Sequence, residues 1–134
     1  MRRIVIAGCA LLLLAGCATL HKKSQLRDTT LEAYGAALRW GDFQSAWNYV
    51  DPDVRAAHPL TPQQKALYDA VRVAQYDASG PSAADEDTIQ QTAQISLIVK
   101  SSQQVYSVLD HQTWRWDDKA KHWWLESGLP DISH

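Results

Sequence analysis

The chain has few cysteines, no long hydrophobic run and no glycine-rich loop, and each absence excludes a class of protein. Its 134 residues include two cysteines, Cys9 and Cys17, and six glycines. The apolar run from Ile4 to Ala15 is shorter than the roughly 20 residues that span a bilayer as a helix, so the sequence does not predict a transmembrane anchor. No phosphate loop, zinc-ligand spacing or G-x-S-x-G motif occurs. We therefore expect no metal and no cofactor.

The amino terminus has the layout of a secretory signal. A basic start, Arg2-Arg3, precedes the apolar run, which ends at small residues. The four residues Leu14-Ala15-Gly16-Cys17 resemble a bacterial lipobox. In that family the cysteine receives a diacylglycerol, the signal is cut just before it and the new terminus is commonly acylated. The resemblance implies that residues 1–16 are a signal peptide and that Cys17 carries lipid; an ordinary signal or a short uncleaved anchor is the alternative.

The residue after the cysteine indicates a location. Ala18 follows Cys17, and in the Gram-negative lipoprotein pattern a residue other than Asp there usually permits sorting to the outer membrane. For a Gram-negative source we therefore expect a lipid anchor on the periplasmic face of that membrane, with the membrane as partner. Residues 17–24 read as the lipidated cysteine and a solvated tether that includes His21, Lys22 and Lys23. Contact of these three basic residues with anionic lipid headgroups is the alternative. Six extended residues reach only about 20 Å, so the domain would lie close to the membrane.

The remaining 118 residues fit one domain. Without Arg2 and Arg3, the 13 Lys and Arg fall to 11 against 15 Asp and Glu, a formal charge of −4 that does not favour nucleic acid. Cys9 leaves with the signal and lipid blocks Cys17, so no thiol remains for a disulfide. The mature domain must then be stabilised by packing alone, despite an oxidising compartment.

The first half of the domain is predicted to be helical. Apolar residues at helical spacing, among them Leu31, Tyr34 and Leu38, predict a helix from about Gln25 to Trp40 that ends at Gly41. Asp42 is placed to cap a second helix, whose face is formed by Phe43, Ala46, Trp47 and Val50. We expect Asp51-Pro52-Asp53 to end that helix, with a loop after it. The pattern Thr61-Pro62-Gln63-Gln64 is typical of a capping box and predicts a third helix from Pro62 to about Ala70.

The second half is predicted to be an antiparallel sheet. Residues 71–78 are rich in strand-forming side chains, and residues 82–87 read as a polar loop. Residues 88–100 alternate between apolar and polar side chains, which is typical of a strand with one buried face. Two further strands are expected at 104–116 and 122–126, with a turn at 117–121 between them.

The order of these elements resembles that of a known superfamily. Helices joined at Gly41-Asp42-Phe43, then a curved antiparallel sheet that ends in a Trp-bearing hairpin, look like the NTF2-like, or cystatin-like, α+β roll. The similarity covers about residues 25–130 and leaves 131–134 as a tail. It implies helices packed into the concave side of the sheet around a conical pocket. The superfamily includes ketosteroid isomerases, small dehydratases and many non-catalytic modules, so the fold does not fix the function.

Two aspartates are weak candidates for catalysis. Asp110 shares a strand face with Tyr106 and Trp114, and Asp77 on the preceding sheet region could join it as an acid or base. Against this, Val105, Leu109 and Thr113 match the apolar face of the preceding strand better, and that arrangement places Asp110 outside.

Aromatic side chains are the better candidates for binding. Trp114 and Trp116 share one face, and the register of the last turn decides whether Trp123 or Trp124 joins them. On a convex face these indoles would form a partner site, whereas on the concave face they would be core or pocket lining. Tyr34 and Trp47 are candidate pocket residues on the helices.

Three functions follow from these observations. The first is a non-catalytic envelope lipoprotein that acts through protein contacts. It is favoured because the sequence has an anchor motif and no recognisable set of catalytic residues. The second is a module that binds a small apolar ligand in the cone, and the third is an NTF2-like enzyme with Asp110 or Asp77 as base.

Overall fold

A computed structural model describes the backbone of residues 2–133 and the side chains of residues 20–133. It shows an α+β fold in which an amino-terminal helix packs on a curled antiparallel sheet. The elements in chain order are α1 (Arg2–Trp40), α2 (Phe43–Trp47), α3 (Pro52–Ala57), α4 (Pro62–Asp69), β1 (Val71–Ala78), β2 (Ser82–Ala83), β3 (Thr88–Val99), β4 (Val105–Asp117) and β5 (His122–Leu125).

Helix α1 contains the predicted helix of residues 25–40 and also continues on its amino-terminal side. Leu31, Tyr34 and Leu38 are buried on one face, which confirms the periodic pattern. Residues 18–24, expected to be an extended tether, belong to α1. The tether segment is attached to the sheet, because the indole Nε1 of Trp123 donates to the backbone carbonyl of Lys23 at 3.1 Å.

The short helices begin at the predicted caps, with one correction. The carboxylate of Asp42 accepts from the backbone of Ser45 at 2.7 Å and caps α2. The loop expected after Asp51 is wrong in part, because α3 starts there: the Asp51 carboxylate accepts from the amide of Asp53 at 2.9 Å. Pro52 does not end the preceding helix, because α2 already stops at Trp47; it stands in the first turn of α3, where its missing N–H costs nothing.

Helix α4 confirms the capping-box prediction. The amide of Gln64 donates to Thr61 Oγ1 at 3.1 Å, and the amide of Thr61 donates to Gln64 Oε1 at 2.9 Å. Two amides at the start of the helix are thereby satisfied by side chains.

The sheet has the strand order β1-β3-β4-β5, with every neighbouring pair antiparallel. The predicted strands are confirmed to within one residue at each end, while β2 is a two-residue strand inside the predicted polar loop and pairs with β3. A bulge between Val73 and Gln75 interrupts the pairing of β1 with β3. Bulges of this kind raise the local twist of a strand.

The outer edge of β5 is covered by the segment between α2 and α3. Val50 forms a parallel bridge with Leu125, and the amide of Leu125 donates to the carbonyl of Tyr49 at 2.9 Å. The buried Asp51 carboxylate pairs with Arg115 Nη2 at 2.6 Å. Burial alone would raise the pKa of Asp51, but the hydrogen bond from Arg115 and the amide of Asp53 hold it below its usual value. This ion pair ties the helical segment to β4.

The predicted signal peptide and the lipid on Cys17 stay predictions. The side chains of residues 2–19, including that of Cys17, lie outside the described residues. Within the part of the chain that is described, no helix is both long enough and apolar enough to cross a membrane.

Candidate functional site

The concave face of β4 carries a buried polar cluster. Asp110 pairs opposite Ala93 of β3, whose side chain is completely buried, and Asp110 itself is only 7% exposed. The expectation that Val105 and Leu109 occupy the inner face is wrong, because both are 64% exposed. The pairing register with β3 fixes which side chains point inward, and it overrides the apolar character of individual residues.

Gln112 connects the members of this cluster. Its Nε2 donates to Asp110 Oδ2 at 3.0 Å and to the hydroxyl of Tyr76 at 2.9 Å. Its Oε1 accepts from the indole Nε1 of Trp114 at 3.0 Å and, more weakly, from Gln91 Nε2 at 3.4 Å. The side-chain amide of Gln112 therefore uses both of its N–H donors and both lone pairs of its oxygen on partners within the chain.

Burial shifts the pKa of the Asp110 carboxyl and of the Tyr34 hydroxyl in the same direction. Burial raises the pKa of Asp110, and the hydrogen bond from Gln112 only partly offsets this. Burial, with a smaller contribution from the charge of Asp110, raises the pKa of Tyr34 well above its usual value. The Tyr34 hydroxyl is buried and has no hydrogen-bond partner among the described residues. Inside the fold, the Tyr34 hydroxyl is thus within the electrostatic influence of the Asp110 carboxyl.

The carboxyl-terminal segment covers the same side of the sheet. The hydroxyl of Tyr68 donates to the carbonyl of Pro130 at 2.9 Å, and that of Tyr106 donates to the carbonyl of Ile132 at 2.8 Å. Pro130 and Ile132 are both buried. Burial, with the nearby charge of Asp131, raises the pKa of Tyr68 to about 12, so this donor stays protonated. The segment therefore closes the interior instead of leaving it open.

Asp77, the second acidic candidate, does not join Asp110. It is exposed and lies next to Tyr76, which points inward after the bulge, so Asp77 points to the outer face of the sheet.

The aromatic candidates are distributed between the core and its margin. Trp116 pairs opposite Trp123, so Trp123 rather than Trp124 shares a face with Trp114 and Trp116. These three indoles are at most 7% exposed, and Trp124 is half-buried on the other face, where its ring lies 4.0 Å from that of His122. The three-indole face is thus core, the second of the two possibilities that the sequence left open.

The helical candidates also pack into the core. Tyr34 is fully buried and its ring makes edge contacts with Tyr49, Tyr76 and Trp114, at centroid distances of 5.8, 6.5 and 5.2 Å. Trp47 is half-buried against the same core.

A second site lies between the start of the described part of α1 and the β4–β5 turn. It is a groove of about 690 Å³, here called the lysine groove, lined by Leu20, Lys22, Lys23, Leu26, Asp87, Trp116, Asp118 and Lys121. Lys23 Nζ donates to Asp87 Oδ1 and to the carbonyl of Glu86, both at 2.7 Å. It also lies 5.6 and 5.7 Å from the ring centroids of Trp116 and Trp123. Across the groove Lys121 Nζ pairs with Asp118 Oδ1 at 2.8 Å.

Gln91, Gln112 and Tyr76 are members of the interior cluster that the sequence analysis above does not name as candidates. Their positions on the strands carried a usable signal, because Gln112 has the parity of Asp110 and Trp114, and Gln91 that of the apolar residues of β3. No such signal exists for Lys121 of the lysine groove, because only the folded chain brings it close to α1.

Comparisons with known proteins add no assignment, because no family model and no curated protein matches this chain. Within the described residues, no group of three or more His, Cys, Asp or Glu side chains could hold a metal ion.

Proposed function

We propose that this chain is a lipid-anchored protein of the cell envelope, held through Cys17 on the periplasmic face of the outer membrane. The observation that carries the proposal is the sequence Leu14-Ala15-Gly16-Cys17 at the end of a short apolar run. Two or more acyl chains on one cysteine give lasting retention, which a single chain does not.

The domain behind the anchor is proposed to be an NTF2-like module. The support is the arrangement of α1 against the concave side of a curled antiparallel sheet. We further propose that this module is non-catalytic and acts through protein contacts. In support, the inner carboxylate of Asp110 is bound by Gln112 and covered, whereas Val105 and Leu109 expose apolar surface on the outer face.

Fractionation of cells that express the full chain tests the anchor. The Cys17→Ser variant should leave the outer-membrane fraction, because it offers no thiol to the lipid. The Cys9→Ser variant is the matched control, since Cys9 lies within the predicted signal and its replacement should leave fractionation unchanged. Retention of the Cys17→Ser variant in the outer membrane would sink the proposal.

A second candidate function is binding or turnover of a small ligand in the interior. It is favoured by one observation: the buried Tyr34 hydroxyl has no hydrogen-bond partner among the described residues, and the charge of Asp110, whose own pKa is raised by burial, contributes to the raised pKa of Tyr34. Native mass spectrometry of the purified protein should then show a retained ligand that the Tyr34→Phe variant loses. An unliganded mass in several preparations would argue against this candidate.

A further inference from the structure

The lysine groove lies where the proposed anchor meets the domain. In a helix each residue advances about 1.5 Å, so Lys23 is about 9 Å along the axis from position 17, less than half of the extended reach of the same six residues. Because Lys23 is also bound to the sheet through Trp123, the start of the domain cannot swing far from the anchor. With lipid on Cys17, the groove would lie at the membrane surface.

The lining combines the side chains that favour a membrane interface. Leu20 is 68% exposed, Leu26 is half-buried and Trp116, 7% exposed, borders the groove with the edge of a core indole, so the wall has an apolar part. Tryptophan and lysine are typical of the headgroup level of a bilayer, where one end of the side chain is apolar and the other is wet. A volume of about 690 Å³ lies within the range of ligand sites.

The charges of the groove are of both signs. Three amines, on Lys22, Lys23 and Lys121, face two carboxylates, on Asp87 and Asp118. A purely anionic headgroup would meet both carboxylates, and a purely cationic group would meet all three amines. A zwitterionic headgroup, with a phosphate and an ammonium, has a partner for each sign.

The ion pairs that already exist in the groove are exposed enough for a ligand to replace one partner. Lys121 and Asp118 have side-chain exposures of 56% and 81%, and exposed ion pairs contribute little to stability. Lys22 is exposed on the groove wall, and the Asp87 carboxylate is 61% exposed although it accepts from Lys23. A ligand can therefore compete for these groups without unfolding anything.

We infer that the lysine groove binds the headgroup of an amine-bearing zwitterionic phospholipid of the anchoring membrane. Lys22 and Lys121 hold its phosphate, and Asp118 with Asp87 accepts from its ammonium. The upper methylenes of its chains lie against Leu20 and Leu26. This inference rests on the proposed anchor, because the anchor brings the groove to the membrane.

Hydrogen exchange of the mature protein in nanodiscs tests the inference. Intact mass first establishes that Cys17 is acylated. The discs contain phosphatidylcholine alone, or phosphatidylcholine with phosphatidylethanolamine or with phosphatidylglycerol. Amides of residues 20–26 and 117–121 should exchange about fivefold more slowly in the phosphatidylethanolamine discs, the effect of one interfacial charge contact. The other two discs should give no such protection, because the choline headgroup of phosphatidylcholine has no N–H to donate to Asp87 or Asp118, and the glycerol headgroup of phosphatidylglycerol has no ammonium.

Variants locate the effect. Replacing both Lys22→Gln and Lys121→Gln should remove the protection, whereas Lys65→Gln, on exposed α4, should retain it. Equal exchange in all three discs, or protection that survives the double replacement, would overturn the inference while the anchor stands. Protection already present in lipid-free detergent would instead identify the protein's own acyl chain as the occupant and would also overturn it. A chain without lipid on Cys17 refutes the anchor and the groove's membrane role together.

Discussion

The interior cluster and the lysine groove both contain carboxylates and their hydrogen-bond donors, but the groups are buried in the first and exposed to solvent in the second. Inside, Gln112 uses all of its hydrogen-bonding capacity on neighbours in the chain, and Asp110 is 7% exposed. In the groove, the Asp118 side chain is 81% exposed and that of its partner Lys121 is 56% exposed. Buried polar groups are costly unless they are paired, so the side chains around Gln112 bond to one another, and the Tyr34 hydroxyl is the exception within this described cluster. Exposed pairs cost little to separate, so the groove remains available to a ligand.

The largest expected difference concerns the indoles. Trp114→Ala should lower the free energy of unfolding by about 4 kcal/mol, because it removes a fully buried ring and leaves a cavity. Trp40→Ala is the control: that side chain is 77% exposed, and its loss should change stability by at most about 0.5 kcal/mol. Urea denaturation measures both values, and similar losses would contradict the placement of Trp114 in the core.

A smaller loss is expected at the centre of the polar cluster. Gln112→Leu should cost about 2–3 kcal/mol, because it leaves the Trp114 indole and the Asp110 carboxylate without their partner. The cost should grow with pH, since the charged form of Asp110 loses a stabilising donor. Gln90→Leu, at an exposed position on β3, is the matched control and should be nearly neutral. A pH-independent cost would show that Asp110 does not depend on Gln112.

A gain in stability is expected from Asp110→Asn. Burial raises the pKa of Asp110 above its usual value, so the folded state holds this proton more tightly than the unfolded chain does. The bound proton stabilises the folded state fully at pH values below 3.8, the usual pKa of an aspartate. This stabilisation is lost as the pH rises through the higher pKa that Asp110 has in the folded state.

The Asn variant should therefore be more stable than the parent by on the order of 1 kcal/mol at neutral pH, and equal to it in acid. Urea denaturation at pH 3 and pH 7 measures this difference. Asp77→Asn, on the outer face, should show no such dependence. A constant difference at the two pH values would mean that Asp110 is hydrated in the folded state.

The smallest effect on stability is expected in the groove. Lys121→Gln removes an exposed ion pair and should change the free energy of unfolding by at most about 0.5 kcal/mol. Lys119→Gln, in the same turn, is its control. If Lys121→Gln cost several times more, the Asp118 pair would be structural and unavailable to a ligand.

The sequence predicted most elements of the fold because local patterns specify them. The spacing of Leu31, Tyr34 and Leu38 defines the face of α1, and the Thr61–Gln64 box defines the start of α4. It did not predict which face of β4 is buried, since the outward-facing Val105 and Leu109 are more apolar than the inward-facing Asp110 and Gln112. Only the register with β3 decides this, and a register depends on two strands at once.

The lysine groove could not be predicted for a similar reason. Lys23 and Trp123 meet across 100 positions of sequence, and Lys121 reaches the groove through the β4–β5 turn. No local pattern indicates that these side chains share a site. The lipobox, by contrast, is a local pattern, and the proposed location of the protein rests on it.

The intact mass of the protein purified from membranes tests the central claim most directly. The account predicts a chain that has lost residues 1–16 and whose mass exceeds that of residues 17–134 by a diacylglycerol and a further acyl group. Fragmentation should place both on Cys17. An unmodified chain of residues 17–134, or a membrane-bound chain that retains residues 1–16, would contradict it.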